Sequence, residues 1–293
     1  MRALEWPFLG SEVLAAKAIP ERAMRQLYEP VYPGVYAPAG IGLTASQRAT
    51  AAWLWSRRRA VVAGTSAAAL LGAKWVAPAL DAELIHNNRR PPGGIRVHID
   101  TLLAEEVSTV GGIAVTCPAR TAFDIGRKAA SPLVTVPLLD ALANATDVKD
   151  VDIEAVIARH PGLRGIARLR RVLPLVDGGA ESPQETLTRL TLIDAGLPKP
   201  KTQIVVRDEY GEFVARIDMG YEDLRVGVEY DGAQHWTNAS QRQRDIDRYS
   251  ALSDLGWVIV RVSSELLRNR QGTLVARVDA ALRAAGWQHD GSL

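Results

Sequence analysis

The sequence is poor in the residues that build disulfide scaffolds and histidine-rich metal centres. It contains one cysteine, Cys117, and five histidines in 293 residues. A single cysteine excludes a disulfide framework and a cysteine-ligated zinc site, and it is typical of a protein in a reducing cytosol. A metal centre built from several histidines is not expected either.

The chain also lacks a long apolar run and a large net charge. The most apolar window, from Val61 to Leu80, contains Lys74, two glycines and a proline, which predicts a buried helix and a turn instead of a membrane span. No secretory signal pattern is visible, so we expect a soluble, cytoplasmic protein without a membrane partner. Because the net charge is only +2, any nucleic-acid-binding surface must be local.

The length of the chain and its glycine and proline breaks predict a multidomain α+β protein. A chain of 293 residues suggests two or three domains. The pair Gly178-Gly179, followed by Pro183, breaks a helical pattern and predicts a domain boundary. We therefore expect three regions: a compact N-terminal region at 1–42, a mixed middle region at 43–175 and a C-terminal domain at 176–293.

The N-terminal region has the element order of a winged helix-turn-helix. Two short helical stretches, from Ser11 to Ala18 and from Pro20 onwards, precede the hairpin-like segment VYPGVYAP. Arg22 and Arg25 on the second helix are candidate DNA phosphate contacts, although acidic residues flank them. A small structural cap is the alternative interpretation.

A second candidate DNA-binding segment follows His160. Four arginines fall within eight residues here, and we take Arg164, Arg168 and Arg171 as candidate contacts to a nucleic-acid backbone. The alternative is a solvated face of a helix.

Four acidic residues of the C-terminal domain form the most informative pattern. Ser182-Pro183-Gln184-Glu185 opens a helix, where Glu185 completes a capping box and so has a purely structural alternative. Three strands follow, with Asp218 on the second and Glu229 and Asp231 on the third. Alternation puts Glu229 and Asp231 on one face but does not by itself bring Asp218 to them.

Carboxylates placed together in otherwise apolar strands repel one another and are costly to bury. A hard divalent cation such as Mg²⁺ or Mn²⁺ takes oxygen ligands and would relieve that repulsion. It could also polarise a phosphate and activate a water, which is the physical case for phosphodiester hydrolysis. Helix, three-strand meander, helix, strand and helix predict an α/β sandwich around this site.

These segments resemble the PD-(D/E)xK endonuclease-like superfamily, in the branch related to very short patch repair endonucleases. The resemblance covers roughly Glu181 to Arg270 and rests on ESPQET, FVARIDMGY, VGVEYDGAQHW and RDIDRYSALSDLGWVIVRVS. It implies a restriction-endonuclease-like fold in which Asp218 and Glu229 bind the metal with Glu185 near them. Asp231 and His235 occupy the Glu-x-Asp-Gly-x-x-His stretch of that branch, and His235 is a candidate general base or phosphate contact.

The front half is similar to AbiEi-type antitoxins of type IV toxin-antitoxin systems. The similarity rests on PVYPGVYAP, VVAGTSAAALLGAKW and VTCPARTAFDIGR. It implies a DNA-binding winged helix, an AbiEi-like middle region and possible pairing with a cognate toxin.

One departure from the endonuclease pattern leaves two functions open. The superfamily usually has a lysine two residues after the glutamate, and this chain has Asp231 there. Lys199, Lys201, Gln203 or His235 are candidate spatial substitutes. The first hypothesis is a divalent-metal-dependent DNA endonuclease whose catalytic residues are Glu185, Asp218, Glu229, Asp231 and His235. The alternative is a non-catalytic DNA-binding repressor or antitoxin.

Overall fold

The computed structural model describes residues 5–88, 90–128, 130–232 and 239–288. The chain divides into two compact units, Met1–Gly178 and Gly179–Leu293. The sheets and helices of both units agree with the α+β class predicted from the sequence. Within the described ranges, no helix is both long and apolar enough to cross a membrane.

The first unit begins with a three-stranded sheet and two short helices. The strands are β1 (Phe8–Leu9), β2 (Tyr28–Tyr32) and β3 (Val35–Pro38), in the order β1-β3-β2, and the helices are α1 (Gly10–Ala15) and α2 (Glu21–Leu27). Gly34, with φ +80°, makes the β2–β3 turn. The first helix ends before Ala18 because Lys17 adopts a left-handed conformation with φ 52°. Two helices and a hairpin thus follow one another as expected, while a winged-helix function stays a prediction.

A five-stranded sheet and a group of helices complete this unit. The strands are β4 (Val61–Val62), β5 (Ala82–Ile85), β6 (Ile95–His98), β7 (Val107–Val110) and β8 (Ile113–Thr116), in the order β6-β5-β4-β8-β7. The helices are α3 (Ala45–Trp55), α4 (Gly64–Leu70), α5 (Pro118–Lys128), α6 (Pro132–Thr146), α7 (Asp150–Arg159) and α8 (Ile166–Val172), with 3-10 turns at Ala104–Glu106 and Leu173–Leu175. Leu9, Tyr32 and Val35 share one apolar core with α3 and this sheet.

A buried ionic network lies at the start of α5. Arg120 is fully buried and donates from Nη1 to Glu106 Oε2 at 2.5 Å and from Nε to Asp124 Oδ2 at 3.1 Å. His160 Nε2 lies 2.6 Å from Glu106 Oε1. Charges this deep are tolerated only when they are paired, so the network fixes α5 and the segment before β7 relative to each other.

The second unit is an α/β sandwich around one four-stranded sheet. Its strands are β9 (Lys201–Arg207), β10 (Phe213–Tyr221), β11 (Val226–Asp231) and β12 (Val258–Ser263), in the order β12-β11-β10-β9. The pairs β9–β10 and β10–β11 are antiparallel, whereas β11–β12 is parallel. Its helices are α9 (Pro183–Asp194), α10 (Ala239–Asp254), α11 (Ser264–Asn269) and α12 (Gln271–Ala284), with a 3-10 turn at Glu222–Leu224.

Helices cover both faces of this sheet. Leu192 of α9 and Leu274 and Val278 of α12 belong to one apolar core with Val228 and Val262 of the sheet. A second core joins Leu252 and Tyr249 of α10 to other strand residues, among them Ile204, Ala215 and Ile217. The sandwich predicted from the element order is therefore present, and its two cores flank the central strands β10 and β11, which carry Asp218, Glu229 and Asp231.

Candidate active site

The β10–β11 hairpin places Asp218 beside Glu229. The ladder between these strands pairs Met219 with Val228 and Gly220 with Gly227. Continuing this register by one residue sets Asp218 opposite Glu229, because both lie equally far from the short turn. Alternation along the strands does not by itself bring Asp218 to the third strand; the β10–β11 register does.

Asp218 accepts a hydrogen bond at the position where the backbone pairing between β10 and β11 stops. Its Oδ2 accepts a hydrogen bond from the backbone N–H of Tyr230 at 2.8 Å. Burial, which is the largest cause, and the nearby carboxylates of Glu185 and Glu229 together raise the pKa of Asp218 to about 6. The Tyr230 N–H and the positive charge of Arg248 act in the opposite direction. Asp218 is thus a poorly compensated acid that gains stability from any added positive charge.

Glu229 is buried and fully engaged. Arg248 of α10 binds it through two parallel hydrogen bonds, Nη1 to Oε1 at 2.9 Å and Nη2 to Oε2 at 2.8 Å. The Tyr249 hydroxyl donates to Glu229 Oε2 at 2.7 Å. Burial and this hydrogen bond raise the pKa of Tyr249, so the phenol stays a proton donor. Neither Arg248 nor Tyr249 carries a functional signal in the sequence.

Glu185 takes part in the helix cap that was the structural alternative for this residue. Ser182 Oγ accepts from the Glu185 N–H at 3.2 Å and donates to Glu185 Oε1 at 2.8 Å. Glu185 Oε2 accepts from the Glu181 N–H at 2.9 Å and from Gln203 Nε2 at 3.4 Å. This cap fixes a buried carboxylate at the start of α9, and its charge reaches Asp218. The capping role and a role in holding a cation are compatible.

Asp231 has a different environment from the other three carboxylates. It is half-exposed and forms an ion pair with Arg261 of β12. The parallel register sets Arg261 beside Glu229 and Ser263 beside Asp231. The position that carries the superfamily lysine is therefore occupied here by an anion that forms an ion pair with a cation of the next strand.

Two expectations about this site stay open. His235 lies outside the described residues. Over the described ranges, no three histidine, cysteine, aspartate or glutamate side chains are placed to hold a metal ion as they stand. Glu185, Asp218 and Glu229 are brought into electrostatic contact, but Glu229 keeps both oxygens on Arg248. Their roles in metal binding and catalysis stay predictions.

The candidate DNA contacts of the first unit lie at its surface. Arg22 and Arg25 are exposed on α2, where Arg25 pairs with Glu21 at 2.5 Å. Arg168 and Arg171 are exposed on α8, and Arg164 is exposed just before it. Their exposure fits either a DNA contact or a solvated face, so their role stays a prediction.

Two family models match separate parts of the chain. Residues 59–175 match the AbiEi antitoxin C-terminal domain, and residues 200–282 match REase_MTES_1575, a restriction-endonuclease-like domain. The second match covers Asp218, Glu229, Asp231 and Arg248 but not Glu185. Both parts of the predicted architecture are therefore confirmed.

The similarity to two relatives extends across much of the chain. The protein is 34% identical over 189 residues to the Uncharacterized protein Rv2248 and to the Uncharacterized protein MT2308, from two strains of Mycobacterium tuberculosis. The match covers 64% of this chain and 68% of each relative. The chain belongs to their family. No solved structure matches.

Proposed function

We propose that this protein is a divalent-metal-dependent DNA endonuclease whose active site lies at the β10–β11 hairpin of the second unit. The AbiEi antitoxin domain and the restriction-endonuclease-like domain support a DNA-acting protein or an antitoxin. The observation that favours hydrolysis is the geometry of the hairpin, which sets Asp218 opposite Glu229 and within reach of the charge of Glu185.

The residues present fit a hard divalent cation. Glu185, Asp218 and Glu229 offer carboxylate oxygens, which Mg²⁺ and Mn²⁺ prefer. Arg248 binds Glu229, but the pKa of Asp218 stays raised by burial and by the charges of Glu185 and Glu229, so an added positive charge would stabilise the ionised form of Asp218. When bound, such a cation would polarise a phosphodiester and lower the pKa of a water.

The remaining residues would orient the substrate. We propose that Tyr249 holds Glu229 in place through its hydroxyl and that Arg248 contributes the positive charge that the superfamily obtains from lysine. His235 remains the candidate general base or phosphate contact. The exposed arginines of the first unit would bind the DNA backbone and add affinity without sequence information.

The sharpest test is cleavage of supercoiled plasmid with Mg²⁺ or Mn²⁺. Asp218→Asn and Glu229→Gln should abolish nicking. Asp223→Asn makes the same chemical change at an exposed position of the same hairpin and should leave nicking unchanged. Loss of activity in all three variants, or retention in all three, would contradict the assignment of the site.

A specific observation also supports the alternative of a non-catalytic repressor or antitoxin. Both oxygens of Glu229 are bound by Arg248, and the antitoxin domain matches independently of the nuclease-like one. Salt-sensitive DNA binding without cleavage under any divalent metal would favour this function. So would an adjacent gene for a nucleotidyltransferase-like toxin whose toxicity this protein suppresses.

A further inference from the structure

A cleft rich in arginine lies next to the candidate active site. It has a volume of about 310 Å³ and opens where β11 and β12 end and α11 and α12 begin. That volume is about ten times the share of one water in the liquid, which is room for a phosphodiester with part of its sugars. Its lining residues are Asp231, Arg261, Ser263, Glu265, Leu266, Arg270 and Arg277.

The fold explains why three guanidinium groups converge here. Arg261 lies on β12 and is tied to Asp231 of the neighbouring strand. Arg270 stands at the first position before α12, and Arg277 follows seven residues later on the same face of that helix. One strand and one helix therefore direct their cations into a single opening.

The charges of the cleft are only partly compensated. Arg261 is neutralised by Asp231. Among the residues that the structure describes, neither Arg270 nor Arg277 forms a salt bridge or a side-chain hydrogen bond, and both are exposed. Glu265 is the one further carboxylate of the lining, and it opposes anion binding. The cleft thus retains unpaired guanidinium groups, which bind phosphate through two parallel hydrogen bonds.

The cleft lies close enough to the candidate active site for its cations to contact a neighbouring phosphate of the same nucleic-acid strand. Asp231 lines the cleft and lies two residues after Glu229 on β11, a distance of ~7 Å along the strand. That separation is comparable with one nucleotide step of an extended strand. A phosphate in the cleft would therefore neighbour a phosphate held over Asp218 and Glu229.

We propose that Arg261, Arg270 and Arg277 form a subsite for the nucleic-acid phosphate next to the scissile one. The proposal rests on the proposed nuclease function for its register, and it gives Asp231 a role in positioning Arg261. The cation missing from position 231 is then supplied from the neighbouring strand and from α12.

The test measures binding of a fluorescein-labelled 20-base-pair duplex to the full chain by anisotropy, in EDTA, over a series of KCl concentrations. Arg270→Gln/Arg277→Gln should weaken binding and reduce the slope of log Kd against log salt by about one to two. Arg268→Gln/Arg283→Gln removes two exposed arginines from the same helices α11 and α12, outside the cleft, and should leave the slope unchanged. Glu265→Gln should tighten binding, because it removes the opposing carboxylate.

Arg270→Lys/Arg277→Lys separates charge from geometry and carries the test if the glutamine variant does not fold. It should keep the salt slope but bind more weakly than the wild-type protein, because lysine lacks the planar fork of arginine. Cleft variants that bind like the control pair would overturn the proposal. Plasmid cleavage by the wild-type protein is scored separately: cleavage with unchanged binding in the cleft variants refutes the subsite alone. Lost binding without wild-type cleavage refutes the nuclease alone.

Discussion

Removal of the Arg248 guanidinium is expected to destabilise the second unit. The Glu229 side chain is only 7% exposed, and Arg248, at 30% exposed, holds both of its oxygens. Breaking a fully buried ion pair from one side costs about 3–5 kcal/mol, because the remaining charge is left uncompensated. Water reaches part of Arg248, so we expect Arg248→Gln to cost about 2–3 kcal/mol.

The loss should be measured where it arises, because two units need not unfold in one transition. Hydrogen exchange of the β11 amides reports the opening free energy of that strand. Arg216→Gln is the matched control: it removes an arginine from an exposed pair with Glu181 in the same unit, and such pairs contribute about 0–1 kcal/mol. Protection of β11 should fall in Arg248→Gln and change little in Arg216→Gln.

Two further measurements decide whether the reasoning is correct. Glu229→Gln/Arg248→Gln should recover most of the lost protection, since it removes the uncompensated carboxylate together with its partner. Mn²⁺ should also protect Arg248→Gln, because a ligand that binds the folded state stabilises it in proportion to the logarithm of its concentration. Unchanged protection in Arg248→Gln, or a double variant as unstable as the single one, would refute the account of this ion pair.

Three other substitutions test separate parts of the structure. The pKa of Asp218 is about 6 in the folded protein, whereas its ordinary value is 3.8. Its contribution to stability is therefore present below pH ~4 and lost as pH rises through about 6. Urea unfolding at a series of pH values, without divalent cation, should show a decline of at most about 3 kcal/mol in the wild-type protein, and Asp218→Asn should remove it. Arg120→Met removes the cation that pairs with two fully buried carboxylates. It should lower the free energy of unfolding of the first unit by about 3–5 kcal/mol, measured by chemical denaturation. A loss below about 1 kcal/mol would contradict the role of the network. Gly220→Ala should destabilise the hairpin by about 1–3 kcal/mol, because an alanine Cβ there would lie 2.4 Å from the Val226 carbonyl oxygen. Gly272→Ala is the control: it lies in open space within α12, so it should leave plasmid cleavage unchanged and should not lower the melting temperature, because alanine is the better helix former.

Local patterns predicted the elements of the second unit well. The segment FVARIDMGY is β10 in the structure, from Phe213 to Tyr221. Ser182 accepts the capping hydrogen bond from the Glu185 N–H, as the Ser-x-x-Glu spacing indicates. These features depend on interactions between residues close in sequence, and for that reason propensity and periodicity were sufficient.

Partners from separate elements were missed because no local pattern connects them. Arg248 lies 19 residues after Glu229 in a helix whose charges resemble those of any solvated surface. Its neighbour Tyr249, three residues before Leu252, matches the apolar stripe of that helix, although its hydroxyl reaches the same carboxylate. The Arg120–Asp124 pair did carry a usable signal, the i,i+4 spacing of opposite charges on a helix. Its burial, however, follows from packing that the sequence alone does not specify.

The Arg248–Glu229 pair is the point at which the two proposed functions differ physically. Arg248 binds Glu229, whereas burial and the nearby carboxylates of Glu185 and Glu229 raise the pKa of Asp218 to about 6. A divalent cation balances these charges and lets Arg248 remain on Glu229 or turn toward a phosphate. Without such a cation, the folded protein either bears the repulsion among these carboxylates or protonates Asp218. Stabilisation by Mn²⁺ that disappears in Asp218→Asn would therefore favour the endonuclease before any cleavage is detected.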